Sequence, residues 1–190
     1  MLNPRSSSFL GFGARGCPPL ARMATQGHRQ CHLVGARVLE VLEQTPSVRT
    51  VVLHARWSSY TRHNNGNNVL DTQGNPVKTS FLEEIDHTIG TLRERGYRVV
   101  LVGPVPEPGR PVPQTVMRRA WYEGQIPEIS IPRDAYERRY AAVLQWLARW
   151  EDRGVSVVWP GQIFCGPERC PAIDSSGQVI FFDAHHLSAE

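Results

Sequence analysis

Three short runs of β-branched and apolar residues constrain this fold more than anything else in the chain. Residues 48–54 (Val-Arg-Thr-Val-Val-Leu-His), 97–102 (Tyr-Arg-Val-Val-Leu-Val) and 155–159 (Val-Ser-Val-Val-Trp) do not alternate strictly between apolar and polar. They therefore read as strands buried on both faces. Between the first two runs, Phe81, Leu82, Ile85, Ile89 and Leu92 fall at three- and four-residue steps. Between the second and third, Tyr136, Tyr140, Val143, Leu144, Leu147 and Trp150 do the same. Each set describes a helix with one apolar stripe, and Gly96 and Gly154 stand where a C-cap is needed. An earlier helix over 34–43 is stopped by Pro46. Alternating strands and helices of this kind call for an α/β domain with a mainly parallel sheet and right-handed crossovers. A further apolar run, 178–182 (Gln-Val-Ile-Phe-Phe), reads as a last strand. The proline-rich stretch 103–132 reads as a long connection, 70–76 as a turn or short hairpin, and the polar run 62–68 as a loop.

At 190 residues the chain suits one domain, divided here into an irregular segment 1–30 and an α/β domain 31–190. A net charge of +3 with mixed signs is too mild to argue for nucleic acid as a partner. No apolar run approaches the ~20 residues that span a bilayer. The run 9–14 is too short and too soon interrupted for a signal-peptide core. The four cysteines form two local pairs, Cys17 with Cys31 and Cys165 with Cys170, among Gly, Pro and polar residues. Two short-loop disulfides in an oxidising compartment are the preferred reading. A zinc site from Cys165, Cys170, His185 and His186 is a rival with poor ligand spacing, and free thiols are a third reading.

Chemistry in open α/β sheets lies beyond the carboxyl ends of the strands, so the loops starting at Ala55, Gly103 and Asp183 should line one rim. On that rim Asp183 and His186 stand three residues apart. An imidazole oriented by a carboxylate is a general base for a hydroxyl nucleophile. The plain alternative is a polar C-terminal loop.

Several motifs, in order, resemble the SGNH hydrolase superfamily. More narrowly, they resemble the SGNH domain at the C-terminus of bacterial acyltransferase-3 membrane proteins that modify cell-surface polysaccharides. They are Gly16-Cys17-Pro18-Pro19-Leu20 with Cys31, residues 51–57 (Val-Val-Leu-His-Ala-Arg-Trp) with Tyr60, residues 100–106 (Val-Leu-Val-Gly-Pro-Val-Pro), the Cys165–Cys170 pair, and Asp183-Ala184-His185-His186-Leu187-Ser188. The resemblance implies a three-layer α/β/α, flavodoxin-like fold with a Ser-His-Asp triad, His186 being the base and Asp183 its orienting residue. It makes His185 the wrong neighbour, and it leaves Arg56, Trp57 and Tyr60 as oxyanion or substrate-binding candidates. Asn64, Asn65, Asn67 and Asn68 are a lesser source of an amide donor. The family nucleophile sits in a Gly-Asp-Ser-His motif on a first strand ahead of Cys-Pro-Pro, where this chain has only Pro4-Arg5-Ser6-Ser7-Ser8. The expectation is therefore an O-acyltransferase or esterase domain for cell-surface polysaccharide that lacks its first strand and its serine, either a fragment or inactive. The alternative is a non-catalytic glycan-binding or partner-docking remnant. Implied partners are an acyl donor, a glycan acceptor and a membrane acyltransferase-3 domain; the implied location is periplasmic or otherwise extracytoplasmic. No organic cofactor and no metal is needed for this chemistry.

Overall fold

The computed structural model describes residues 9–25, 28–61 and 69–188. In chain order the elements are β1 (Ala24–Thr25), α1 (Cys31–Gln44), β2 (Thr50–His54), α2 (Ser58–Thr61), β3 (Val69–Leu70), α3 (Phe81–Glu94) and β4 (Arg98–Val102), then α4 (Val112–Glu123), β5 (Ser130–Pro132), α5 (Arg133–Asp152), β6 (Ser156–Val158), α6 (Pro160–Phe164) and β7 (Arg169–Pro171). They divide between two compact units, residues 1–49 with 63–97, and residues 50–62 with 98–190.

The first unit holds β1, α1, β3 and α3. β1 and β3 pair antiparallel, and Ala24, Cys31 and Leu70 form a small core with Cys17 packed against it. The Cys17–Cys31 disulfide ties the start of α1 to the segment before it. Part of the stretch read as irregular is thus built in, with Leu20, Ala21, Ala24 and Thr25 buried. α1 passes so close to that stretch that a side chain at Gly35 would overlap the Leu20 carbonyl oxygen. α3 starts at a capping box: the Ser80 hydroxyl accepts the Glu83 N–H, and the Glu83 carboxylate accepts the Ser80 N–H at 2.7 Å. Its apolar stripe of Phe81, Ile85, Ile89 and Leu92 is buried.

The second unit carries the parallel sheet predicted from the apolar runs, with β4 between β2 and β6. The register runs from Thr50 opposite Arg98 to His54 opposite Val102, and β6 joins with Val102 opposite Val158. α5 packs beside β6 and buries Tyr136, Tyr140, Val143, Trp146, Leu147 and Trp150. Gly103 is where the chain squeezes past Leu147 and Pro160; an added Cβ would meet both at 3.2–3.3 Å. β5 and β7 form a separate antiparallel pair, and the second disulfide, Cys165–Cys170, closes the loop leading into β7.

Two expectations are corrected. Residues 112–123 are helix α4, not part of an irregular connection. Only Val112 of this helix is buried, so it has no apolar stripe for periodicity to detect. Residues 178–182 are not a strand of the parallel sheet. They make single bridges, Ile173 to Val179 and Phe181 to Leu187. Their apolar character serves a local cluster in which Phe181 is buried with Val112, Ile129 and Ala172.

Candidate active site

Because His54 and Val102 are register partners, the chain segments leaving β2 and β4 emerge side by side. The Trp57 indole N–H donates to the Val102 carbonyl at 2.9 Å and fastens one segment to the end of the other strand. Across the same gap Glu107 is 3% exposed and receives three side chains. Arg56 Nε donates to its Oε1 at 3.0 Å, Arg139 Nη2 from α5 donates to Oε2 at 2.6 Å, and the Ser58 hydroxyl reaches both oxygens at 3.1 and 3.2 Å. A buried carboxylate needs such partners, since leaving it unpaired costs several kcal/mol. Two guanidinium groups on one carboxylate leave one surplus positive charge. Tyr140 beside them has its hydroxyl pKa pushed up to about 12, first by burial and then by the Glu107 charge.

The carboxy-terminal corner is held from its backbone. Asp183 follows no sheet strand; the segment after β4 carries it instead. The Gly109 N–H donates to the Ala184 carbonyl and the Val112 N–H to the Asp183 carbonyl, both at 3.3 Å. Asp183 Oδ1 accepts the backbone N–H groups of His185 and His186, each at 2.8 Å, which curls the chain back on itself. The Phe182 N–H closes that turn on the His186 carbonyl at 2.8 Å. Ser188 then staples the end of the turn, its hydroxyl donating to the carbonyls of Val179 and Ile180.

The curl delivers His186 Nδ1 to 2.7 Å from Asp183 Oδ2. A carboxylate can only accept, so Nδ1 carries the proton of the neutral ring and the Nε2 lone pair is left available. Burial opposes the charge on Asp183, but hydrogen bonds from the His186 ring and from the 186 and 185 amides outweigh it and hold the carboxyl well below the usual range. His185 is more enclosed, with Nδ1 3.6 Å from Asp183 Oδ1 and its ring 4.0 Å from that of His186. Burial, then the Arg56 and His186 charges, lower its pKa.

Not every candidate named from the sequence reaches solvent here. Trp57 is 1% exposed and packs on Trp146 with centroids 5.4 Å apart, so its ring is part of the core and is not offered for stacking. Tyr60 is half-buried on α2, where burial raises its pKa and Arg56 opposes the rise. Arg56 keeps 46% of its side chain exposed. Both cysteine pairs are disulfides, which removes Cys165 and Cys170 from any zinc site. Asp183, His185 and His186 could offer one ligand atom each within 4.8 Å. The 2.7 Å contact between Asp183 and His186 leaves no space for an ion between those two atoms. Ser6, Ser7 and Ser8, and Asn64, Asn65, Asn67 and Asn68, lie outside the described residues. Glu107, Ser58 and Arg139 were missed. Glu107 was open to discovery, because it directly follows the strand-ending Gly-Pro-Val-Pro and so falls on the rim; Arg139 looks like any solvated arginine of α5.

The whole chain, residues 1–190, matches the family described as the SGNH domain fused to AT3 domains. This protein belongs to that SGNH family. A solved structure with the same fold is the periplasmic domain of the lipopolysaccharide acetyltransferase of Salmonella ser. Paratyphi A, at 16% identity and a TM-score of 0.56. The likeness covers 90% of this chain and 63% of that one, so the chain spans less than two-thirds of that domain's length. It supports the α/β, flavodoxin-like architecture of the SGNH domain. No curated protein matches the chain. Among the described residues no helix is long and apolar enough to cross a membrane.

Proposed function

We propose that this SGNH domain serves O-acyl transfer to, or ester cleavage from, a cell-surface polysaccharide, with Asp183 and His186 as its proton-handling pair. The observation that carries the reading is the 2.7 Å contact between His186 Nδ1 and Asp183 Oδ2, which frees Nε2 as a base. In the reaction, Nε2 takes a hydroxyl proton as the oxygen attacks the acyl carbonyl; it returns the proton to the leaving alkoxide as the tetrahedral intermediate collapses. Arg56 supplies positive charge for the oxyanion, held in place by Glu107. The domain works outside the cytoplasm, in keeping with its two disulfides, beside a membrane acyltransferase-3 domain. An Asp-His pair with adjacent surplus positive charge is what acyl chemistry needs, and no organic cofactor or metal enters it.

Among the described residues no serine hydroxyl hydrogen-bonds the His186 ring. Ser58 is committed to Glu107 and Ser188 to backbone carbonyls. The described residues are accordingly expected to supply no working nucleophile to this corner. The test is p-nitrophenyl acetate hydrolysis and labelling by a serine-directed fluorophosphonate, against a His186→Ala control. Neither signal should rise above the control. Labelling of one serine that depends on His186 would supply the missing nucleophile and overturn the inactivity. Hydrolysis well above the protein-free rate that persists undiminished in His186→Ala would remove the chemistry from this corner altogether.

A further inference from the structure

The segment that supports Asp183 also forms one wall of a cleft with no assigned role. The cleft has a volume of about 230 Å³ and is lined by residues that include Pro108, Arg110, Thr115, Arg119, Glu128 and Ile131. Its charges are unevenly committed. On one wall Glu128 is approached by Arg169 at 3.7 Å and accepts the Ser130 hydroxyl at 3.3 Å, while Ser130 in turn accepts Arg169 Nε at 2.6 Å. That wall satisfies itself. On the other, Arg119 has only a loose contact with Glu123 at 3.8 Å, and Arg110 has no hydrogen-bond or ion-pair partner among the described residues. Thr115 donates its proton to the Pro111 carbonyl at 2.6 Å, which leaves its hydroxyl oxygen only an acceptor role towards a ligand. Two under-used guanidinium groups beside a hydroxyl acceptor suit an anionic group that also carries hydroxyls.

The volume decides the size of that ligand. It lies below the ~300–1,000 Å³ of pockets that hold drug-sized molecules, yet it exceeds what a bare carboxylate fills. One sugar ring is the natural occupant. Tyr122, seven residues after Thr115 and three after Arg119, continues the same face of α4 and is 79% exposed, an aromatic surface on which a second ring can stack. Arg110 and Pro108 flank Gly109, whose N–H touches the Ala184 carbonyl one residue from Asp183. A sugar seated here would lie against the same segment that holds the Asp183 turn.

The geometry points to an acidic-sugar subsite: the cleft binds a uronic-acid-type residue of the acceptor glycan through Arg110 and Arg119 and presents its neighbour to His186. This deepens, and rests on, the reading of the corner as a glycan acyl-transfer site. The test is binding alone. The folded 190-residue chain is titrated with methyl β-D-glucuronide, methyl β-D-glucoside and inorganic phosphate, with affinity followed by calorimetry and location by backbone amide shifts. The glucuronide should bind saturably, shift amides of 108–115 and 127–131, and exceed the glucoside by about tenfold, one charge-assisted hydrogen bond's worth. Arg110→Gln, an exposed and unpartnered position, should fold normally and lose about tenfold. Equal affinity for glucuronide and glucoside, glucuronide binding unmoved by Arg110→Gln, or phosphate binding as tightly as the glucuronide would each overturn the assignment. The result stands apart from the esterase assay: hydrolysis that survives His186→Ala defeats the acyl-transfer reading whatever binds in the cleft, and a failed titration leaves that assay's outcome untouched.

Discussion

Removing the Glu107 carboxylate should damage this domain more than any other single change near its rim. Glu107 is buried and receives two arginines and a serine. The two ion pairs are not equal. Arg56 is 46% exposed, so water already screens it and its share falls towards the ~0–1 kcal/mol of surface pairs. Arg139 is 22% exposed with a 2.6 Å contact, and breaking an enclosed pair of that kind costs about 3–5 kcal/mol because it strands the remaining charge. Taking the lower end, Glu107→Ala should cost about 3 kcal/mol, a fall in Tm of roughly 6–12 °C for a chain of this length. Arg56→Ala should cost under about 1 kcal/mol. Urea unfolding followed by circular dichroism measures both, and a double-mutant cycle with Arg139→Ala isolates the coupling. If Glu107 and Arg139 act as one unit, the double variant loses much less than the sum of the singles. A loss below about 1 kcal/mol for Glu107→Ala, or additive losses in the cycle, would refute the reasoning.

Two further outcomes follow from the packing of α1 and from the carboxy-terminal corner. Gly35→Ala should destabilise by about 2 kcal/mol or more despite alanine's better helix propensity, because the new Cβ would sit 2.1 Å from the Leu20 carbonyl oxygen and backbone cannot swing aside; an unchanged or raised Tm would refute it. His185 should titrate below the ordinary histidine value of 6.5, since burial and then the charges of Arg56 and His186 oppose its protonation more than Asp183 and Glu107 favour it. The unfolded chain then binds the proton first, so this contribution to stability is complete above the unfolded pKa and is lost as pH falls below it. Proton NMR of the imidazole resonances reads the midpoint directly, and Arg56→Gln should move it upward.

The parallel sheet was legible in the sequence because each strand carries a β-branched apolar run, Val51-Val52-Leu53, Val99-Val100-Leu101-Val102 and Val157-Val158; the burial expected on both faces is met only in part, since Val52 is 50% and Val158 39% exposed. α3 and α5 were legible for a related reason, since a helix with one buried stripe repeats its apolar residues at three- and four-residue steps. α4 was not: with one buried residue it has no such period. The run 178–182 misled because apolar composition reports burial, and burial in a local cluster around Phe181 looks the same as burial in a strand.

The candidate site divides along the same line. Asp183 and His186 lie three residues apart, so their contact is made within a single turn, which the Gly109 and Val112 N–H groups then hold from outside it. What surrounds them was settled by folding alone. Arg56 and Glu107 are 51 residues apart, and Arg139 is 32 beyond Glu107; only the in-register ends of β2 and β4 and the packing of α5 make them neighbours. No local rule distinguishes a guanidinium destined for a buried carboxylate from one destined for water, because desolvation depends on everything else the fold brings to that point.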